Sequence, residues 1–73
     1  MFSYEYILHY YDVNKQSWRE RNFLLISGAA EFCRRTKCLV RIYKKHLGRE
    51  DDYRSLVYSG PARKFESDYL STL

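Results

Sequence analysis

Cysteine and histidine are the side chains in this chain best suited to binding a metal ion, and the 73 residues include two of each. Cys33 and Cys38 are separated by four residues, and His9 and His46 complete a nominal set of four zinc ligands. If Cys38 and His46 lie at two ends of one extended strand, they are roughly 26 Å apart, because each residue adds about 3.3 Å. Zinc needs all its ligands within about 2.3 Å. The sequence therefore predicts two free thiols, no metal site and no cofactor.

The chain carries no pattern that is typical of a catalytic site. It has no Gly-rich phosphate loop and no nucleophile elbow. Three adjacent carboxylates, from Glu50 to Asp52, follow Gly48 and are expected in a solvated turn. We therefore expect a protein that is not an enzyme and has no catalytic residues.

Positive charge is concentrated in one segment of the chain. No acidic residue lies between Glu31 and Glu50, and this span holds seven of the 13 basic residues. The other six basic and nine acidic residues carry a net charge of −3, so the surplus of +4 comes from this segment. A surplus confined to one segment predicts a basic patch rather than an evenly charged surface.

The basic segment is predicted to form a short amphipathic helix followed by a strand. Ser27 is expected to cap the helix, and the helical pattern ends near Lys37. Its apolar face repeats every three or four residues, at Ala29, Phe32, Cys33 and Thr36. Residues 38–43 then alternate as in a strand, and the odd-numbered side carries Leu39, Arg41 and Tyr43, followed by Lys45. A single helix that continues through Leu47 is the alternative.

Three further strands and a second helix are predicted around this segment. Residues 2–11 form a strand with even-numbered side chains inward, and residues 18–26 form its hairpin partner, buried on both sides near its end. A turn at 47–52 leads to a fourth strand at 53–58, which Ser59, Gly60 and Pro61 end. Pro61 is expected as the first residue of a C-terminal helix that carries Phe65, Tyr69 and Leu73.

The predicted element order is ββαββα, which is typical of the α+β fold class. We expect one domain over residues 1–73, with a mainly antiparallel four-stranded sheet and helices on one face. The longest apolar run, Phe23 to Ile26, is too short to span a membrane. The chain begins at Met1, and we expect it to be complete and to have no signal peptide. Free thiols without a signal peptide predict a cytoplasmic protein.

The composition favours a binding protein. Eight tyrosines are more than the core of so small a domain can hold, and Tyr, Trp and Arg dominate protein–protein hot spots. We expect docking onto a larger protein or a protein–nucleic acid complex, without a membrane, by a monomer or homodimer. The predicted contact residues form a basic, tyrosine-bearing surface of Arg34, Arg35, Lys37, Arg41, Tyr43, Lys44 and Lys45.

Direct nucleic acid binding is the alternative function. Arg19 and Arg21 are expected to join Arg41, Tyr43 and Lys45 on the open face of the sheet. Basic side chains interleaved with aromatic rings can neutralise phosphates and stack bases. The aromatic pattern of sheet-based RNA binders is missing from the sequence. The hypothesis of nucleic acid binding therefore depends on the basic patch alone.

In size and element order, the chain resembles small stand-alone inhibitors encoded by phages and mobile elements, such as anti-CRISPR proteins and phage inhibitors of host RNA polymerase. The resemblance covers layout, not residues, and it implies a protein that inhibits or modulates host machinery. Many of those inhibitors are acidic mimics of nucleic acid, whereas this chain is basic. The implied target is therefore an acidic protein surface or a protein–nucleic acid machine.

Overall fold

The computed structural model of the chain describes residues 3–48 and 53–72, and its elements follow the predicted order. The four strands are β1 (Tyr4–Asp12), β2 (Ser17–Phe23), β3 (Leu39–His46) and β4 (Arg54–Pro61). Helix α1 covers Ile26–Arg34, and the short helix α2 covers Phe65–Asp68. Two 3-10 turns, Ala62–Lys64 and Leu70–Thr72, flank α2.

The four strands form one antiparallel sheet in the order β2-β1-β3-β4. The predicted α+β fold class is thereby confirmed. Asp12 stabilises the β1–β2 turn, because its Oδ1 accepts backbone N–H hydrogen bonds from Asn14 (3.0 Å) and Lys15 (3.3 Å). The second half of the basic segment is the inner strand β3, which excludes the alternative of a helix through Leu47.

Both helices lie on one face of the sheet, which we call the covered face. Its centre is an aliphatic row of Leu8, Val40 and Ile42, each at most 1% exposed. Helix α1 packs on this row through small residues, Ala29, Ala30 and Cys33. Small side chains let the helix backbone approach the sheet, so a helix of nine residues buries the row. The predicted inward direction of the even-numbered β1 residues is confirmed by Leu8.

Phe65 attaches the C-terminal segment to the same core. Its ring is fully buried, meets Tyr58 edge-on at 5.3 Å and stacks on Tyr69 at 5.5 Å between ring centroids. The Tyr58 hydroxyl donates a 2.7 Å hydrogen bond to the carbonyl oxygen of Pro61. Gly60 makes room for this contact, because its φ is +151° and an added Cβ would lie 3.1 Å from that hydroxyl.

β4 corrects two predictions about its end. Residues 59–61 do not end the strand, because Pro61 still pairs with Leu39 at the last position. β4 is an edge strand, where a missing N–H can be tolerated. Pro61 has extended backbone dihedrals (φ −63°, ψ 135°), so it precedes the helical segment instead of starting it. The C-terminal helix is also interrupted after Asp68, and Leu73 lies outside the described residues.

The predicted boundaries of α1 and β2 are wrong in a related way. α1 begins at Ile26 after the N-cap residue Leu25, and no side chain caps it, so Ser27 is not the cap. Ile26 packs against the core, which favours an earlier start than a polar cap would give. β2 already ends at Phe23, and Leu24 and Leu25 are 50% and 55% exposed rather than buried on both sides. The chain leaves the sheet there to enter the helix.

Within the described part of the chain, no helix is long and apolar enough to cross a membrane.

We predict that Leu8→Ala destabilises the protein far more than Leu24→Ala, although the chemical change is the same. Leu8 is fully buried and Leu24 is half exposed. A buried Leu→Ala change costs about 2–5 kcal/mol, because it removes apolar contacts and leaves a cavity, whereas surface changes usually cost about 0.5 kcal/mol or less. Urea unfolding of both variants measures the difference. Equal midpoints would contradict the position of the core.

Candidate functional site on the open face of the sheet

The structure divides the seven predicted contact residues between two sides of the molecule. Three lie at the C-terminal end of α1 or in the segment that follows it, which we together call the helical layer: Arg34, Arg35 and Lys37. Three lie on the uncovered side of β3: Arg41, Tyr43 and Lys45. Lys44 belongs to the covered side, with its Nζ 3.9 Å from the centroid of the Tyr4 ring. The seven residues therefore do not form one continuous surface.

Two of the three cations in the helical layer already have carboxylate partners. The Arg34 guanidinium binds both oxygens of the Glu66 carboxylate, through Nε to Oε1 and through NH2 to Oε2 at 3.3 Å. Arg35 pairs with Glu31 one turn earlier, at 2.6 Å. Both pairs are solvent-exposed, so each contributes little to stability. Their charge is partly neutralised before any partner arrives.

The uncovered side of the sheet, which we call the open face, carries a different set of side chains. The strand register brings together Tyr11 opposite Trp18, His9 between Glu20 and Arg41, and Tyr43 opposite Leu56. Odd-numbered residues of β1 and β3 therefore share a face with even-numbered residues of β2. In β4 the same face carries Arg54 and Leu56, and after a one-residue shift in the register it carries the odd-numbered Ser59 and Pro61. Its members in the four strands are Glu5, Ile7, His9, Tyr11, Trp18, Glu20, Asn22, Leu39, Arg41, Tyr43, Lys45, Arg54, Leu56, Ser59 and Pro61.

The expected addition of Arg19 and Arg21 to this face is wrong. The register pairs Arg19 with Tyr10 and Arg21 with Leu8, which places both arginines on the covered side. The Arg21 guanidinium carbon lies 5.4 Å from the centroid of the Phe32 ring. The guanidinium gains a cation–π contact there, at the edge of the core.

Trp18 and Arg41 form the most prominent contact at one end of the open face. The Arg41 guanidinium extends from β3 across β1 and lies 4.9 Å from the centroid of the Trp18 ring. The Tyr11 ring meets the same indole at 5.7 Å, in a T-shaped arrangement. Trp18 remains 47% exposed despite these neighbours. A large aromatic ring is thus held in a defined orientation with much of its surface open to solvent.

A second group of contacts occupies the centre of the open face. His9 Nε2 lies 2.8 Å from Glu20 Oε1, and the His9 ring is 5.2 Å from that of Tyr43. The Arg54 guanidinium carbon lies 5.3 Å from the Tyr43 centroid, and its NH1 is 4.0 Å from the same Glu20 oxygen. These contacts order long side chains in the free protein, which lowers the entropy cost of binding.

The open face combines exposed apolar groups with nearly balanced charge. Leu39 and Leu56, on β3 and β4, are 57% and 53% exposed, and Trp18 on β2 is 47% exposed. On this face, the four strands carry two carboxylates, Glu5 and Glu20. They carry three cations there, Arg41, Lys45 and Arg54. Such a face is suited to binding another macromolecule through aromatic and apolar contacts, with charge as a secondary contribution.

Sequence reasoning missed Trp18, Glu20 and Arg54 as members of this surface. The signal was present in the hairpin, because a tight turn that pairs Asp12 with Ser17 also pairs Tyr11 with Trp18. The sequence analysis grouped basic residues with the open face by their charge. In the structure, the strand register decides which face each residue joins, because successive side chains of a strand point to opposite faces.

The two cysteines are free thiols, and burial suppresses their ionisation. Cys33 is 2% exposed, and burial, with smaller effects of Cys38 and Glu66, raises the pKa of its thiol to about 11. Burial also raises the pKa of the Cys38 thiol. Within residues 3–48 and 53–72, no group of three His, Cys, Asp or Glu side chains could hold a metal ion.

The raised pKa of Cys33 predicts a loss of stability at alkaline pH. The fold disfavours the Cys33 thiolate. The contribution of Cys33 to the free energy of unfolding is therefore constant below its ordinary pKa of 9.0, and it falls as the pH rises from there to the folded-state pKa of about 11. The slope there approaches about 1.4 kcal/mol per pH unit. Cys33→Ala should flatten the slope, although it lowers stability at every pH by lost packing. Urea unfolding at pH 8, 9 and 10 tests this, and parallel pH profiles for both proteins would contradict it.

No protein-family model matches the chain, and comparisons with curated protein sequences and with solved structures find no match either. A function must therefore be argued from the surfaces of this molecule alone.

Proposed function

We propose that this protein is a non-enzymatic binding protein that docks onto a larger protein through the open face of its sheet. The observation that carries the proposal is the Trp18–Arg41 pair, a half-exposed indole held under a guanidinium at 4.9 Å. Trp, Tyr and Arg are the residues that most often dominate binding energy at protein interfaces. The exposed Leu39 and Leu56 extend the apolar contact area toward β3 and β4.

The charge of the open face favours a protein partner over nucleic acid. Two carboxylates oppose its three cations, and the two arginines that would have strengthened a nucleic acid site, Arg19 and Arg21, lie on the covered side. Phosphate neutralisation supplies much of the affinity of nucleic acid binders. A protein partner can instead be held by desolvated aromatic anchors surrounded by polar contacts.

The proposed consequence of docking is inhibition or modulation of the partner. The small size and the element order, which resemble those of phage and mobile-element inhibitors, support this part of the proposal. The partner would be a protein, alone or within a protein–nucleic acid complex, and the protonated free thiols suit action in the reducing cytoplasm. No cofactor enters this function.

Photo-crosslinking from the open face tests the docking surface. A benzophenone side chain at Leu56 should form an adduct with a partner in extracts of the organism that encodes the protein. The same group at Leu24 serves as the control, because Leu24 is 50% exposed, close to the 53% of Leu56, but lies outside the open face. Adding Trp18→Ala should weaken the Leu56 adduct roughly 30-fold, as expected for a hot-spot residue. Equal adducts from both positions, or no adduct from Leu56, would overturn the proposal.

The second candidate function, single-stranded nucleic acid binding, is favoured by the cations that lie beside Trp18 and Tyr43. It predicts a specific salt dependence. With the three cations of the open face, log affinity should fall against log salt with a slope of about −2 on single strands and about −3 on duplex. Fluorescence anisotropy of labelled DNA and RNA from low to physiological salt measures it. Micromolar binding that persists at physiological salt and is lost in Trp18→Ala would make nucleic acid the primary partner.

A further inference from the structure

A separate cleft opens at the end of the sheet where α1 stops. It has a volume of about 480 Å³ and lies between the C-terminus of α1, the start of β3 and the end of β4. Its lining residues are Arg34, Thr36, Lys37, Cys38, Leu39, Pro61, Ala62 and Arg63. Apart from Leu39 and Pro61, which lie at the last positions of the open face, none of these belongs to the surface described above.

The charge of this cleft is of one sign. Three of its lining residues are basic, Arg34, Lys37 and Arg63, and none is acidic. Glu66, just outside the lining, holds the Arg34 guanidinium. In the described ranges 3–48 and 53–72, Lys37 and Arg63 have no carboxylate within salt-bridge distance, and both are exposed. Lys37 and Arg63, which we call the rim of the cleft, therefore have no carboxylate partner among the residues that the structure describes.

The apolar part of the lining, which we call the floor, consists of Leu39, Pro61 and Ala62. Leu39 presents an exposed aliphatic side chain, and Pro61 pairs with it across the β3–β4 edge. The backbone N–H of Ala62 donates a 2.9 Å hydrogen bond to the Cys38 carbonyl oxygen, which ties the two walls together. The backbone that forms the floor is thus fixed before any ligand binds, which lowers the cost of binding.

We propose that this cleft binds an acidic peptide segment of a partner protein. An aliphatic or aromatic side chain of the segment would cover Leu39 and Pro61, and carboxylates on either side of it would pair with Lys37 and Arg63. The cleft shares Leu39 and Pro61 with the end of the open face, but it does not include Trp18 or Arg41, the pair on which the proposed docking depends.

Two features favour carboxylates on a peptide over phosphate. A lone phosphate would leave the apolar floor uncovered, whereas a peptide segment can bury it and place its charges at the rim. The cleft also adjoins the C-terminal end of α1, where backbone carbonyls carry partial negative charge. The partial negative charge at the C-terminal end of α1 repels a doubly charged phosphate more strongly than it repels single carboxylates. Lysine and arginine side chains hold those carboxylates away from the helix end.

The test is an NMR titration of the full chain with defined probes. The main probe is an acetylated, amidated hexapeptide, Asp-Leu-Glu-Phe-Asp-Leu, and its control carries Asn and Gln in place of the acids. Inorganic phosphate and a thymidine hexanucleotide are the other arms. We expect the acidic peptide to shift the backbone amide signals of Lys37, Leu39 and Arg63, with a dissociation constant of about 0.1–1 mM. The control peptide should shift them much less.

Charge-matched double variants make the result specific. Lys37→Gln with Arg63→Gln should weaken binding of the acidic peptide about tenfold, because both ion pairs are lost. Arg35→Gln with Lys64→Gln removes the same net charge from the same two segments but outside the cleft, and it should change affinity less than about twofold.

Four outcomes would overturn the proposal. They are equal weakening by both double variants, equal shifts with the neutral peptide, tighter saturation of the same signals by phosphate or the hexanucleotide, and no shift at up to about 5 mM peptide. Trp18→Ala, tested with the same peptide, separates this site from the open face, since it should leave peptide affinity unchanged. If the peptide did not bind the cleft, the crosslinking result at Leu56 would still test the docking surface on the open face.

Discussion

Burial of the aliphatic row beneath α1 is the interaction on which the rest of this structure depends. Leu8, Val40 and Ile42 come from adjacent inner strands, and only a helix with small contact residues can approach them closely. Both helices pack on this side, in a chain whose size lets it bury only about 60% of its unfolded surface. Phe65 completes the single core by attaching the C-terminal segment to the same side.

The uncovered side of the sheet is a direct consequence of that single layer. Its large side chains are held by one another, as in the Trp18–Arg41 pair and the group around Tyr43. Exposed cation–π contacts contribute about 0.5–1 kcal/mol each, so they stabilise the domain modestly. They also order the aromatic groups that a partner would contact. The same feature thus serves both the stability of a thin domain and the proposed binding.

The sequence predicted the fold better than it predicted the site. Alternation in β1 and β3 identified the inward residues, because a strand with one buried face must repeat every two residues. The predicted contact residues do not all share one face, since Arg41 and Lys44 lie on opposite sides of β3. The number of charges in a segment does not show on which face of the sheet they lie. Two residues share a face only if the alternation along each strand and the register between strands place them there.

By itself, the sequence determined the element order, the antiparallel α+β class, the concentration of positive charge between Glu31 and Glu50 and the absence of a familiar catalytic motif. These follow from local periodicity and composition. Only the tertiary structure decided where α1 begins, that β4 continues through Pro61, and that Arg21 packs on Phe32 instead of joining the open face. Strand register and long-range packing set these features, and both depend on contacts between residues far apart in the chain.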